Sequence, residues 1–406
     1  MLRGFDIMHL TFRSLHEDVP GEAWRRVVSH GWPGWSEWFN ARRGKLLQSR
    51  EIDVRRAVRR HMPEYEALWD DLNQVSDADD DLALFLGFWC PPRYLVNCSQ
   101  AVVIDDDGPF LIRNYDLDPA LNEATFLTTG WRGTKVMGMV EAMAGLADGM
   151  NEHGLAASLT FGGRIETGRG FGIPLIMRYL LQMCRNVQEG VEALRAVPSH
   201  MSYNITLVDA SGDWATVFVA PDRPAIVRKQ PWATNHQLGV EWPRHGRISN
   251  TMGRAEHLGQ LLKDRGTDAT VLTREFQQEP VFSTNYSQGF GTVYTAAYRP
   301  VQRTSELRWR DGTTMHNSFQ SSKHDKQVEQ RISYSDKGSY APAASGGLSG
   351  AKLPDWFGTF INDVRAPADE EEKLRLAAFW RRNHLGEDHG WLNLTPCSAD
   401  KTEEDS

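Results

Sequence analysis

Cysteine is scarce in this sequence: four residues in 406, at Cys90, Cys98, Cys184 and Cys397. There is no Cys-x-x-Cys and no paired spacing, so neither a zinc site nor a disulfide framework is indicated, which fits a reducing compartment. Long apolar runs are missing as well. No stretch approaches the roughly 18 apolar residues that mark a membrane helix. The opening MLRGFDIMHLTFRS is broken by charges and lacks the apolar core of a signal peptide. A cytoplasmic protein is expected, with no membrane partner. Basic excess is absent too: 45 Lys and Arg stand against 53 Asp and Glu, a net charge of −8. A general nucleic-acid binder needs a basic face, so that class is excluded. No metal and no cofactor is expected.

What is present is an ordinary globular composition, 40% hydrophobic and 24% charged, on a chain long enough to bury a sizeable core. Residues 1–97 read as mostly helical, with apolar positions three and four apart in Glu51–Met62 and Tyr65–Leu72. From Ser99 the pattern turns to strands. Ala101–Ile104 is apolar and β-branched, Asp105-Asp106-Asp107-Gly108 is a turn signal, and Phe110–Tyr115 is the return strand. A second hairpin is expected around Gly149–Gly154, with Asn151 and Gly154 as turn residues. Two helices follow, Ile173–Cys184 with Pro174 in its first turn and Val187–Val197 with Pro198 after it. Tyr203–Asp209 and Trp214–Ala220 form another hairpin. Ala225–Arg228 and Trp232–Asn235 are further strands, Thr251–Leu262 is helical, and Thr292–Tyr298 pairs with Glu306–Trp309. Helices, strands, helices, strands in blocks predict a layered α+β fold. Residues 321–350 are rich in Ser, Lys, Gly and Ala and read as a linker. Residues 351–406 form a C-terminal extension with a charged amphipathic helix near 369–383.

The stretch Pro91-Pro92-Arg93-Tyr94-Leu95-Val96-Asn97-Cys98-Ser99-Gln100 focuses the chemistry. Pro91-Pro92 forbids helix and forces an extended approach to Cys98. With the turn centred on Asp107-Gly108, the hairpin sets Ala101 or Val102 opposite Arg113 or Asn114, and Cys98 opposite Asp116 or Leu117. Arg113 and Asp116 are thereby returned to the neighbourhood of Cys98. A thiol attacks as thiolate, and its ordinary pKa is about 8.5. It needs a base. His236 or His153 could serve in a Cys/His pair. Otherwise Cys98 becomes N-terminal by cleavage after Asn97, and its own α-amine, of ordinary pKa about 7.7–8.0, is the base.

Five segments occur together and in order: Cys98-Ser-Gln-Ala; Asp107-Gly-Pro-Phe-Leu-Ile-Arg113-Asn-Tyr-Asp116; Asp148-Gly-Met-Asn-Glu-His-Gly-Leu155; Ser158-Leu-Thr-Phe-Gly-Gly163; and Ala233-Thr-Asn-His236. This set resembles the N-terminal-nucleophile (Ntn) hydrolases. In particular it is similar to the autoproteolytic acyltransferase/hydrolase family related to isopenicillin-N acyltransferase, and more distantly to bile-salt and penicillin V hydrolases. The likeness covers roughly residues 55–320. It implies a four-layer αββα sandwich and an amidase or acyltransferase that works through an acyl thioester. Residues 1–97 would then be a pro-segment or small subunit and 98–320 the catalytic domain.

Position by position, the resemblance implies Cys98 as nucleophile, Arg113 beside the thiol, Asp116 orienting the α-amine, and Asn235 as an oxyanion donor. Arg254 matches an Arg at the start of a late helix, with Arg247 as a rival. A second oxyanion donor would be a backbone N–H near Gly163 or Arg164, and Asn204 is a rival side-chain donor. Thr160, Phe161 and Arg164 would line the substrate pocket. The residue before the nucleophile is commonly glycine in the family and is Asn97 here. Expected partners are a small acyl-amide substrate, the two cleaved fragments for each other, and a second copy of the chain. Two other readings stand beside this one: an unprocessed, non-catalytic binder of the same fold, and an unprocessed Cys98/His236 peptidase.

Overall fold

A computed structural model describes residues 8–42, 51–286, 289–320 and 328–335. The elements run β1 (Met8–Glu17), α1 (Glu22–Arg42), α2 (Glu51–His61), α3 (Glu66–Ser76), α4 (Asp80–Gly87), β2 (Asn97–Asp105), β3 (Gly108–Leu117), β4 (Thr125–Thr129), β5 (Val136–Glu141), β6 (Gly145–Asn151) and β7 (Ala156–Phe161). They continue with α5 (Ile173–Met183), α6 (Val187–Ala196), β8 (Tyr203–Val208), β9 (Trp214–Ala220), β10 (Arg223–Arg228), β11 (Trp232–Ala233), α7 (Pro243–Ile248), α8 (Thr251–Leu261) and α9 (Ala269–Glu275). The last are β12 (Thr284–Asn285), β13 (Phe290–Arg299), β14 (Thr304–Arg308), β15 (Thr314–Ser318) and β16 (Val328–Tyr334).

Two sheets hold the core. One is ordered β10-β9-β8-β7-β6-β5-β4-β1-β16, and the other β11-β2-β3-β13-β14-β15 with β12 beside β13. Their inner faces meet through β2 and β3 against β7 and β8. Gln100 of β2 ties the faces together: its Nε2 donates to Thr206 Oγ1 at 2.8 Å and its Oε1 accepts from Ser158 Oγ at 2.6 Å. Outside the first sheet lie α5 and α6, and outside the second lie α8 and α9. The result is a four-layer αββα sandwich, an α+β fold. Local chemistry fixes the ends of its helices. Asp79 caps α4 by accepting from Leu82 N at 2.8 Å, and Asn186 caps α6 by accepting from Glu189 N at 3.0 Å.

Three differences from the sequence reading stand out. The segment 1–97 contains a ten-residue strand, β1, seated in the first sheet parallel to β4 and antiparallel to β16. Its alternation buries Leu10 and Phe12, but both of its partners are distant in sequence. The expected linker over 321–350 contains β16, which pairs with β1; the rest of that span, and the amphipathic helix near 369–383, lie outside the described residues. Cys90 is disulfide-bonded, although cysteine spacing indicated no disulfide framework, while Cys98 and Cys184 are free. Among the described residues no helix is long and apolar enough to cross a membrane, and no group of three or more His, Cys, Asp or Glu could hold a metal.

Candidate active site

Cys98 is the second residue of β2, and the β2–β3 hairpin determines what surrounds it. Asp105 pairs with Gly108, so Asp106-Asp107 is the tip and Gly108 takes φ +97°. Cys98 therefore faces Tyr115, Asn97 faces Asp116, and Gln100 faces Arg113. The expected register, with Cys98 opposite Asp116 or Leu117, is off by one or two: the tip lies one residue earlier than Asp107-Gly108, which moves the partner of Cys98 from Leu117 to Tyr115. Cys98 shares its face with Gln100 and looks between the sheets. Asn97 and Asp116 look the other way, toward α8.

The thiol is fully buried. Arg113 Nη2 donates to its Sγ at 2.9 Å, and Arg113 Nη1 is held by Asp148 Oδ2 at 2.9 Å and by Ala147 O at 2.5 Å. Asp148 is fixed in turn by the hydroxyls of Tyr294 at 2.7 Å and Tyr298 at 2.5 Å. Asp148 lay inside a quoted motif, but nothing local marked it as the anchor of Arg113. Burial pushes the Cys98 thiol up to about 11, against the pull of the Arg113 guanidinium, with Asp116 adding to the rise. In the intact chain it is a thiol, not a thiolate, near neutrality.

A second network holds the backbone of Cys98. Its N–H donates to Asn235 Oδ1 at 3.1 Å. Arg254 Nη2 donates to the same oxygen at 2.6 Å, and Arg254 Nη1 reaches Cys98 O at 2.5 Å and Ser99 Oγ at 2.9 Å. A guanidinium can only donate, so Arg254 fixes which end of the Asn235 amide is oxygen. Asn235 Nδ2 then points to Val96 O at 3.3 Å and Phe161 O at 3.1 Å. Gly163 lies directly beneath: at φ +68°, a Cβ there would sit 2.2 Å from Asn235 O. Arg247 is exposed on α7, whereas Arg254 is buried against Cys98.

Asp116 accepts from Thr292 Oγ1 at 2.7 Å and lies 3.7 Å from Arg254 Nη1. Burial pushes its carboxyl up to about 6, with Arg254 pulling the other way. Asn97, Asp116, Ser249, Asn250, Arg254 and Thr284 border a cavity of about 240 Å³ on this outer face. A larger open groove of about 1630 Å³ runs past α9 and β14, and none of the residues just named lines it.

The structure thus gathers Cys98, Arg113, Asp116, Asn235 and Arg254 around one peptide bond. The expected substrate residues Thr160, Phe161 and Arg164 are enclosed in the intact chain. Thr160 Oγ1 donates to Thr234 O at 2.9 Å and accepts from Asn204. Phe161 packs edge-on to Tyr203 and His245. Arg164 is enclosed by Glu241 and Asp222, each at 2.7 Å. All three are buried and satisfied inside the protein. Alternation along β7 did not reveal that both of its faces are covered. Asn204 pins the loop at Thr234 and His236 in the intact chain. His236 directs Nδ1 to Thr251 Oγ1 at 2.9 Å, and burial pushes it down to about 4. It is engaged away from Cys98. His153 is exposed in the β6–β7 turn.

A family model described as acyl-coenzyme A:6-aminopenicillanic acid acyl-transferase matches residues 103–313, just over half of the 406. Among solved structures, a mutant conjugated bile acid hydrolase from Clostridium perfringens is similar at 10% identity, covering 57% of this chain and 96% of its own, with a TM-score of 0.39. Penicillin V acylase from Agrobacterium tumefaciens is similar at 14% identity, covering 58% of this chain and 90% of its own, with a TM-score of 0.38. No curated protein matches the chain.

Proposed function

The chain belongs to the acyl-coenzyme A:6-aminopenicillanic acid acyl-transferase family, and from that premise we propose that it is an autoprocessed cysteine enzyme of the N-terminal-nucleophile type. It cleaves or transfers the acyl group of a small amide through a thioester on Cys98. One observation carries this reading. The sulfur of Cys98 is bonded by Arg113 while its nitrogen is bonded by Asn235. Both atoms of one residue are held, as they must be if that nitrogen is to become the base for that sulfur.

The first step is intramolecular. Cys98 Sγ adds to the Asn97 carbonyl carbon, and the thiol proton passes to the peptide nitrogen. The C–N bond breaks, leaving an Asn97 thioester on Sγ and a free α-amine on Cys98. Water then adds to the thioester, releasing an Asn97 carboxylate and restoring the thiol. The Arg113 guanidinium favours the developing negative sulfur, and Asn235 with Arg254 fixes the departing nitrogen. An asparagine side chain does not hinder attack on its own carbonyl.

The second step acts on substrate. A buried thiol pushed up to about 11 has few ionised copies near neutrality, so the new α-amine must take its proton. Asp116 pairs with Asn97 across the ladder, beside where that amine forms, and orients it. The thiolate attacks the substrate carbonyl. Asn235 Nδ2, spent on Val96 O in the intact chain, is released when residue 97 leaves the strand and turns to the oxyanion. A backbone N–H at Gly163 or Arg164 is the second donor. The protonated α-amine returns its proton to the leaving amine, and water or an acceptor amine resolves the thioester. The N-terminal fragment stays with the remainder, because β1 lies between β4 and β16.

The test is release of free amine from a panel of N-acyl amino acids, acyl amines and β-lactams by the processed protein. Wild type should turn over at least one class, and Cys98→Ala none. Undiminished amine release by Cys98→Ala would overturn the reading.

A further inference from the structure

On the inner side of Cys98, away from Arg254, lies a buried cluster that the mechanism above does not use. Glu141 ends β5. Its Oε2 accepts the hydroxyl of Tyr115 at 2.6 Å, and its Oε1 accepts the hydroxyl of Tyr94; the two hydroxyl oxygens stand 2.5 Å apart. All three side chains are buried. Tyr115 is the ladder partner of Cys98, and the Arg113 guanidinium carbon lies 4.5 Å from the centre of its ring. Tyr94 stands four residues before the nucleophile. Its carbonyl accepts from Tyr203 OH at 2.8 Å, and two residues on, Val96 O accepts from Asn235.

The turn that carries Glu141 is strained. Ala142 and Met143 take φ of 54° and 55°, and neither is glycine. A side chain with a Cβ disfavours that left-handed backbone. A second carboxylate holds the turn: Glu123 Oε1 accepts from Met143 N at 2.8 Å and from Trp35 Nε1 of α1 at 2.7 Å. Burying a carboxylate is costly unless its bonds are made, and an apolar side chain would fill this volume more cheaply. The strain, the buried acid and the approach to Cys98 all meet at one residue.

We propose that Glu141 is a positioning residue for self-cleavage: by holding the Tyr94 hydroxyl against that of Tyr115, it fixes the path of residues 94–97 into β2 and presents the Asn97 carbonyl to the thiol. The role rests on the self-cleavage reading. Without Glu141, Tyr94 keeps one hydroxyl–hydroxyl contact in place of a three-membered clamp, and the carbonyl loses its near-attack geometry.

The experiment follows the intact mass of wild type, Glu141→Gln, Tyr94→Phe and the double variant over time, with a thermal melt of each. Glu141→Gln should slow self-cleavage about tenfold or more, and Tyr94→Phe about threefold or more. The double variant should be no slower than Glu141→Gln, because both changes break one clamp. A pH series separates positioning from packing. Burial lifts Glu141 to about 7, against the hydroxyls of Tyr115 and Tyr94 and the charge of Arg113, with Asp148 adding to the rise. Glu123 and Asp148 are the other acids facing this site. The wild-type rate should therefore drop as pH falls through about 7, and Glu141→Gln should lack that step. A slowed Glu141→Gln that keeps the step overturns the proposal. So does Tyr94→Phe at the wild-type rate, even where Glu141→Gln does not fold. A wild type that never cleaves overturns the self-cleavage reading and this role with it. A wild type that cleaves while both single variants match it overturns this role alone.

Discussion

Gly163→Ala is the substitution whose effect the geometry determines most closely. Two costs arise. The residue sits at φ +68°, so alanine there costs roughly 1–2 kcal/mol in backbone strain. The new Cβ would also meet Asn235 O at 2.2 Å and His236 Cα at 3.3 Å. Both partners are backbone, so a shift of about 1 Å must be taken up by the Asn235 segment. The Cys98 N–H bond to Asn235 Oδ1 is already 3.1 Å, and a further ångström ends it. A displacement of that size costs about 100-fold in rate, near 2.7 kcal/mol at the transition state. Gly212→Ala is the matched control: its φ is +87° and nothing lies within 4 Å of its Cβ. It carries the same backbone strain without the contact. The assay is the half-time for appearance of the two fragments by intact mass, with melting temperature recorded for both variants. Both should lose similar stability from strain, and only Gly163→Ala should lose processing. Processing of Gly163→Ala within about threefold of Gly212→Ala would refute the argument that Gly163 seats Asn235.

Other outcomes follow from the same geometry. Arg254→Lys should slow processing at least about 100-fold, because one ammonium cannot reach Ser249 O, Cys98 O, Ser99 Oγ and Asn235 Oδ1 together as the guanidinium does; fragment formation at the wild-type rate would contradict this. His236→Asn should keep processing and turnover within about threefold, since its ring bonds Thr251 and not Cys98; a loss of both would revive a Cys/His pair. The unprocessed Cys98→Ala chain should grow more stable to urea as pH falls from about 8.5 to 6.5. Glu123 and Glu141, lifted to about 8 and 7 by burial, take up protons in the folded state before the unfolded chain does. Acidification there favours the fold by an amount on the order of 1–3 kcal/mol. Below about 6.5 the gain should level off. His200, His236 and His245 are pushed down to about 4, 4 and 3, so the unfolded chain now takes up protons first. A curve that falls steadily from pH 8.5 to 6.5 would contradict the assignment.

What could be read from the sequence was what short-range chemistry specifies. The diproline, the apolar β-branched run and the Asp-Gly turn gave the hairpin, and with it the return of Arg113 and Asp116 to Cys98. The register was missed by one or two residues, because three consecutive aspartates before Gly108 allow more than one tip. Pro174 marked the start of its helix, where it stands in the first turn. β1 and β16 were not read as strands, although Leu10 and Phe12 alternate correctly, because each depends on a partner about 300 residues away. The enclosure of the expected pocket residues was hidden for a related reason. Thr160, Phe161 and Arg164 carry chemistry suited to a ligand, but enclosure by Asn204, Tyr203, Glu241 and Asp222 is a property of packing between elements. Glu141 left a faint mark, a lone acid closing the apolar run Val136–Val140, whose meaning depends on Tyr94 and Tyr115 meeting it in space.

The central claim is that the bond between Asn97 and Cys98 breaks by the action of the Cys98 thiol. Intact-mass measurement of the purified full chain tests it directly, with Cys98→Ala alongside. The account predicts two fragments, one ending in Asn97 and one beginning with a free α-amine on Cys98, and a single uncleaved chain for Cys98→Ala. A wild-type protein of undivided mass that still releases amine from an acyl amide would contradict it.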